Sequence, residues 1–138
     1  MNLSGLSVAA LAEEFEADPR QDLIVLYDEL ALPLGAMRIR EGGSAAGHNG
    51  AKSLNASLRT EDWARVRIGV GPDQGPEGSK ETAYRRGKDY LLSPLRKADL
   101  ATLAEVLERA GQAVEKFAAE GIKAAMNEFN RRDNPPAA

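Results

Sequence analysis

Two hydrophobic periods run along this chain, one typical of helices and one typical of strands. An apolar residue recurs every three or four positions from Val8 to Phe15, which predicts a first helix. Ser4 or Ser7 can cap its start, and Asp18 and Pro19 lie beyond its end. The predicted buried stripe consists of Val8, Leu11, Ala12 and Phe15.

Three further segments have the patterns of strands. Leu23–Tyr27 is a short continuous apolar run, typical of a strand buried on both faces, and Asp28 follows at its end. Residues 37–40 alternate, with Arg38 and Arg40 on the outer face. Residues 63–71 alternate as well, placing Arg65 and Arg67 outward. The inward positions of that strand are Val66, Ile68 and Val70.

The C-terminal third is predicted to be helical. Ser93 and Pro94 are suited to begin a long helix that ends at Gly121. Its predicted apolar stripe is Leu100, Leu103, Leu107, Ala110, Val114 and Phe117. A short last helix covers residues 122–129, and residues 131–138 are expected to form a disordered tail after a single domain at residues 1–130. Residues 72–89, rich in Gly, Pro and charge, are predicted to be a mobile loop.

Alternation of helices and strands indicates an α/β fold, with a mixed twisted sheet of at least three strands flanked by helices. A first strand that is buried on both faces needs a neighbour on each side. The pattern shows only two further strands, so it also indicates that strands are missing from the N-terminal side of the sheet.

Composition excludes several kinds of site. The 138 residues contain no cysteine, so neither a disulfide, a thiolate zinc site nor a cysteine nucleophile is available. The sequence has no Walker motif, no Gly-x-Ser-x-Gly motif and no metal-spaced His/Glu cluster, and we expect neither a metal nor a cofactor. The N-terminal residues lack the features of a secretion signal and no window suits a membrane span, so we predict a cytoplasmic protein.

Charge is distributed unevenly along the chain. Residues 1–35 carry one basic and seven acidic side chains, whereas residues 36–98 carry twelve basic and seven acidic ones. Such a basic segment favours binding of a polyanion, because contacts from Lys and Arg to phosphates dominate nucleic-acid affinity. The alternative is a basic surface that only solubilises the protein. Five cations on neighbouring outer faces could form one patch: Arg38, Arg40, Lys52, Arg65 and Arg67.

Two residues are candidates for proton chemistry. His48 is the only histidine, and it lies in a glycine-rich loop, where a role in a site competes with a role as a helix cap. Asp28 follows an apolar strand, at the edge where open α/β sheets bind ligands; the alternative is a turn-forming residue. The loop from Gly47 to Gly50 leads into a predicted helix, whose positive end suits a phosphate or an oxyanion.

Several motifs, taken together, carry a resemblance to one family. They are Met1–Gly5, Val25–Leu30, Gly47–Ser53 and Arg65–Gly71. In this order and spacing they resemble successive motifs of the bacterial-type peptidyl-tRNA hydrolases. The resemblance runs from Met1 to about residue 130. It departs from the family at Ala45 and Ala46, where glycines are usual, which stiffens the loop.

The resemblance implies an aminoacyl-tRNA hydrolase that recycles tRNA in translation. Such an enzyme cleaves the ester between a peptide and tRNA with water that a histidine base activates, without a metal. Asp28 corresponds to the carboxylate that orients this base, and His48 to a second histidine near the substrate. Asn2 and Asn49 correspond to contacts with the tRNA end. With the basic patch, the predicted tRNA-binding residues are Asn2, Asn49, Gly47, Lys52, Arg38, Arg40, Arg65 and Arg67.

The family pattern normally begins with Gly-x-Gly-Asn-Pro-Gly and Arg-His-Asn motifs, and the present chain starts at the landmark that follows them. The catalytic histidine therefore has no counterpart. We expect an N-terminally truncated chain with impaired catalysis. The alternatives are a non-catalytic RNA-binding module derived from this fold and a structural domain that binds no nucleic acid. The full-length family is expected to be monomeric, whereas an apolar sheet edge in this chain would favour self-association.

Overall fold

The computed structural model describes residues 3–71 and 97–133. The helices in these ranges are α1 (Ser4–Glu14), α2 (Asn49–Leu58), α3 (Lys97–Glu120) and α4 (Ile122–Asp133). The strands are β1 (Ile24–Pro33), β2 (Met37–Arg40) and β3 (Ala64–Gly71). The predicted loop at 72–89 and the predicted helix start at Ser93 lie outside the described residues.

The three strands form a mixed sheet in the order β1-β3-β2. β3 pairs in parallel with β1, where Ile24 lies opposite Ala64, and antiparallel with β2, where Met37 lies opposite Ile68. The predicted α/β class and mixed sheet are therefore confirmed. The prediction that the first strand is buried on both faces is wrong, because β3 holds the central position and Leu26 of β1 is 39% exposed.

The main core lies between one face of the sheet and the helices α3 and α4. Alternation in β2 and β3 directs their apolar side chains to this face, as predicted for both strands. The apolar face of α3 differs from the predicted stripe, since Leu100 and Leu107 are about half exposed. The buried residues of this core are Met37, Ile39, Val66, Ile68, Val106, Ala110, Ala113, Ala125 and Phe129.

A second, smaller core lies on the opposite face, beneath α2. It contains Tyr27, Ala51, Leu54 and Trp63. α1 packs against α2 through Gly5, whose N–H donates to Ser53 Oγ at 2.9 Å. Of the predicted stripe of α1, Val8 packs against this core, whereas Leu11 is 53% and Phe15 73% exposed. The close contact between α1 and α2 is made by Gly5, and a hydrophobic period does not reveal a contact made by glycine.

The C-terminal helices agree with the sequence prediction in kind and order. Gly121 separates α3 from α4, as predicted. α4 continues to Asp133, so the first residues of the predicted tail are helical, and residues 134–138 lie outside the described range. Within the described part of the chain, no helix combines the length and apolar character needed to cross a bilayer.

Candidate functional site

His48 stands where the glycine-rich loop turns into α2. The two residues before it, Ala46 and Gly47, have φ angles of 49° and 85°, which reverse the chain direction. The His48 N–H donates to Ala45 O at 2.9 Å, and His48 is the N-cap of α2. The imidazole is therefore held by a tight turn on one side and by the helix on the other.

Both ring nitrogens of His48 are engaged. Nδ1 accepts a hydrogen bond from the Ala51 N–H at 3.1 Å, and Nε2 lies 3.1 Å from Asp28 Oδ1. Because an N–H group needs a lone pair as its acceptor, Nδ1 is unprotonated and the neutral ring carries its proton on Nε2. Nε2 then donates this proton to the carboxylate of Asp28. In this tautomer neither nitrogen has a free lone pair for taking a proton from water.

Asp28 presents its carboxylate from within β1. The strand was predicted to end at Asp28, but it continues to Pro33, because Gly69 of β3 leaves space for the Pro33 carbonyl beside it. The hydrogen bond from His48 is the main cause of the lowered pKa of Asp28, and burial opposes it. With its side chain 44% exposed, the ionised carboxylate can still accept from a further donor.

Aromatic side chains support the imidazole. The ring of Tyr27 is buried, with its centroid 4.6 Å from that of His48 and 6.3 Å from that of Trp63. The Tyr27 hydroxyl accepts from Arg67 Nε at 3.3 Å, and Trp63 Nε1 donates to Asn55 Oδ1 in α2 at 2.8 Å. Packing and hydrogen bonds thus fix these rings relative to α2 and β3.

Arg65 does not lie on an exposed surface, contrary to the sequence prediction. Alternation assigns its side chain to the correct face, but Trp63 and the glycine-rich loop cover that face, and Arg65 is fully buried. Its guanidinium carbon lies 3.6 Å from the centroid of the Trp63 ring. Burial is the main cause that lowers the pKa of Arg65 from its ordinary value.

The other three strand arginines are half-buried and reach the surface. Arg38 of β2 lies directly opposite Arg67 of β3 in the antiparallel register. Burial lowers the pKa of Arg40, and the positive charges of Arg38 and Arg67 lower it further. Like charges on paired strands destabilise a sheet. A bound anion would remove this repulsion, so the surface formed by Arg38, Arg40 and Arg67, the basic strand surface, is suited to phosphate.

Known proteins of one family match almost the whole chain. A model of the family described as "Peptidyl-tRNA hydrolase" matches residues 1–137. The chain belongs to the peptidyl-tRNA hydrolase family. It is 58% identical over 134 residues to the peptidyl-tRNA hydrolase of Acidobacterium capsulatum, covering 97% of this chain and 65% of the relative. The corresponding protein of Koribacter versatilis is 44% identical over 136 residues, covering 99% and 64%.

Solved structures of the family have the same fold. The crystal structure of peptidyl-tRNA hydrolase from Acinetobacter baumannii superimposes with a TM-score of 0.78 at 27% sequence identity. The match covers 94% of this chain and 61% of that protein. The chain thus spans somewhat less than two thirds of the length of the peptidyl-tRNA hydrolases that it matches. The resemblance identified from the four motifs is confirmed at the level of the family.

The structure brings together only part of the predicted site. Asp28 and His48 are in direct contact, and the exposed Asn49 follows His48 in the first turn of α2. Gly47 and Lys52 are exposed on either side of them. Arg65 lies beneath this surface, and Asn2 lies outside the described residues. Among the residues that the structure describes, no three potential metal ligands come together.

Sequence reasoning missed the residues beneath the imidazole. Tyr27, Trp63 and Asn55 were counted only as parts of elements, although together they hold His48 in place. The available signals were weak: Trp63 is the only tryptophan, and Tyr27 is the one polar aromatic in an aliphatic run. Neither signal indicates that the two rings meet, because the contact depends on strand register.

Proposed function

We propose that the protein is a peptidyl-tRNA hydrolase, which releases tRNA for further translation by cleaving the ester that joins it to a peptide. The observation that carries this proposal is the hydrogen bond between His48 and the half-exposed carboxylate of Asp28 in a chain of this family. Such a translation-related substrate would place the protein in the cytoplasm.

Hydrolysis of this ester needs a base that takes a proton from water. His48 cannot be that base in the tautomer described above, because both of its nitrogens are occupied. We therefore assign His48 to holding Asp28 and the start of α2 near the substrate. Asp28 is assigned to orienting a different imidazole, since a carboxylate bonded to a ring N–H fixes the tautomer and stabilises the imidazolium that forms.

The 138 residues contain no second histidine, so we expect them to hydrolyse peptidyl-tRNA slowly by themselves. The second candidate function is binding of tRNA without hydrolysis. It is favoured by the same occupied imidazole and by the retained basic strand surface. Both functions require contact with tRNA, and they differ only in turnover.

The tRNA would lie across the start of α2 and the basic strand surface. Asn49 and Lys52 are exposed on α2, and Gly47 is exposed in the loop before it. Arg38, Arg40 and Arg67 would bind phosphates, which would offset the repulsion between the paired arginines. Asn2 remains a candidate from the family motif, whereas buried Arg65 is left out of this surface.

The association state belongs to the same proposal. β1 is an edge strand of the described sheet, and Leu6 and Phe15 of α1 are 64% and 73% exposed. Exposed apolar side chains of this size favour association between chains. We expect the 138-residue protein to self-associate with rising concentration, whereas we expect the longer members of the family to be monomeric. Light scattering across a concentration series measures this, and a constant monomeric mass would contradict it.

The test of function measures binding and turnover separately in the 138-residue protein. Binding uses a tRNA acceptor-stem minihelix over a range of salt concentrations, and turnover uses an N-acetylated aminoacyl-tRNA. We expect binding that weakens steadily with salt and hydrolysis close to the uncatalysed rate. Absence of salt-dependent binding would overturn tRNA recognition. Rapid hydrolysis that survives His48→Ala would overturn the assignment of the base.

A further inference from the structure

The hydrogen bonds of Arg65 converge on two loops. Its Nη2 donates to Glu61 O at 2.7 Å, and its Nη1 donates to Ser44 O at 3.4 Å. Glu61 lies in the connection between α2 and β3, and Ser44 lies in the glycine-rich loop. The planar guanidinium has donors at fixed angles, so a single side chain can hold two backbone segments at a set distance.

The same two loops meet each other at Glu61. The Gly43 N–H donates to Glu61 O at 3.3 Å, next to the bond from Arg65. Arg67 Nη2 gives Ser44 O a second donor at 3.4 Å. The glycine-rich loop is therefore attached to Glu61 through Gly43 and to two arginines of β3 through Ser44, just before the turn that leads to His48.

That turn needs external support. Ala46 has a φ of 49°, a left-handed conformation that costs a residue with a Cβ about 1–2 kcal/mol. A loop with this strain keeps its conformation only when surrounding contacts determine it. Arg65 supplies such contacts from below, and it also stacks on Trp63, whose neighbour Tyr27 packs against the imidazole.

We propose that Arg65 is a positioning residue, which holds the glycine-rich loop on β3 and thereby sets the direction of His48 towards Asp28. Its consequence for hydrolysis rests on the proposed function, whereas the positioning itself does not. We call the bonds from Arg65 to Glu61 and Ser44 the clamp. Without the clamp the loop would move away from β3, and His48 would no longer bond to Asp28 and to the Ala51 N–H at the same time.

The chain offers direct reporters for a test, because it contains one histidine and one tryptophan. The ¹⁵N shifts of the His48 ring report which nitrogen is protonated, and hydrogen exchange of the Ala51 amide reports the bond to Nδ1. In the wild type, at a pH where the imidazole is neutral, we expect protonation at Nε2 and slow exchange of the Ala51 amide.

Arg65→Met keeps the length of the side chain and removes its donors. We expect the ¹⁵N chemical shifts of the two ring nitrogens to approach the averaged values of a free imidazole. Exchange of the Ala51 amide should become about tenfold faster. Arg65→Lys should restore part of the wild-type behaviour, since an ammonium group keeps charge and donors but lacks the planar fork. Lys123→Met removes an exposed cation on α4, outside both loops, and should leave both signals unchanged.

A folded Arg65→Met variant with wild-type ring shifts and amide exchange would overturn the proposal. If that variant fails to melt cooperatively, the Lys variant decides by the same two signals. The rotation rate of the Arg65 guanidinium tests the proposal in the wild type as well. We expect this rotation to be slow, and fast rotation would overturn the proposal. If the wild type binds no tRNA minihelix, the proposed function fails, but these spectra still decide the role of Arg65.

Discussion

The side-chain amide of Asn130 forms two hydrogen bonds with the main chain of Ile39. Its Oδ1 accepts from the Ile39 N–H at 2.8 Å, and its Nδ2 donates to the Ile39 carbonyl at 3.0 Å. Ile39 is fully buried in β2, an edge strand of the described sheet. α4 thus satisfies the free edge of β2 with one side chain, in place of another strand.

Removing this amide should destabilise the protein. In the Asn130→Ala variant the buried Ile39 N–H loses its partner and the Ile39 carbonyl keeps only the bond from Arg40 Nη1, so we expect the free energy of unfolding to fall by about 2 kcal/mol. Asn130→Asp should cost more at neutral pH, because a carboxylate can accept from the N–H but repels the carbonyl. Urea unfolding followed by circular dichroism measures both changes. Equal stability of Asn130→Asp and the wild type would contradict the two-bond arrangement.

The approach of α1 to α2 at Gly5 gives a second prediction. A Cβ at this position would overlap the Ser53 main-chain carbonyl, which cannot move without displacing α2. We expect Gly5→Ala to lower the free energy of unfolding by about 3 kcal/mol, as overpacking does elsewhere. Thermal unfolding of the variant measures this loss.

Gly111→Ala is the matched control for this change. Gly111 lies in the middle of α3, and a Cβ there would have no neighbour within 4 Å. The same substitution should therefore stabilise the protein by about 0.5–1 kcal/mol, through the helix propensity of alanine. Destabilisation of similar size at both positions would show that steric overlap at Gly5 is not the cause.

The bond between Asp28 and His48 should make stability depend on acid pH. The pKa of Asp28 is lowered below its ordinary value of 3.8 in the folded protein, chiefly by the hydrogen bond from His48. The ionised carboxylate therefore adds stability above pH 3.8, and this contribution disappears as the pH falls through the folded pKa. The difference in unfolding free energy between wild type and Asp28→Asn should shrink over that range.

Urea unfolding between about pH 5 and about pH 2 measures this difference. His48→Ala provides the control, because it removes the main cause of the lowered pKa. In that background, Asp28→Asn should change the pH dependence much less. A wild-type difference that stays constant down to the lowest pH would contradict the assigned interaction.

Arg38→Gln should have opposite effects on stability and on binding. It removes one of two like charges that face each other across β2 and β3, so stability should rise by a few tenths of a kcal/mol. It should also weaken binding of the tRNA minihelix and reduce the slope of affinity against salt by about one unit. Lys123→Gln, on the exposed surface of α4, should change neither quantity appreciably. Unchanged salt dependence in Arg38→Gln would remove Arg38 from the proposed tRNA surface.

Much of the fold follows from local patterns in the sequence. Alternation located β2 and β3 and assigned the correct residues to each face, because side-chain direction in a strand depends only on position. It did not reveal what covers a face. Arg65 was assigned to solvent because the loop that buries it includes Ser44, which lies 21 positions earlier in the chain.

The candidate site was only partly predictable for the same reason. Asp28 and His48 were identified from residue type, position and the family motifs, but the hydrogen bond between them was not. That bond depends on the turn at Ala46 and on the continuation of β1 beyond Asp28. Both features arise from tertiary contacts, namely the clamp on the loop and the small residue at Gly69.

The position of β3 at the centre of the sheet has a consequence for synthesis of the chain. β1 and β2 each bond to β3 and not to each other, although β3 is the last of the three strands to be made. During synthesis on a ribosome, none of these strand pairings can form before Ala64–Gly71 emerges. Until then neither β1 nor β2 can pair with β3, and the rate at which these three strands assemble depends on the arrival of a single late segment.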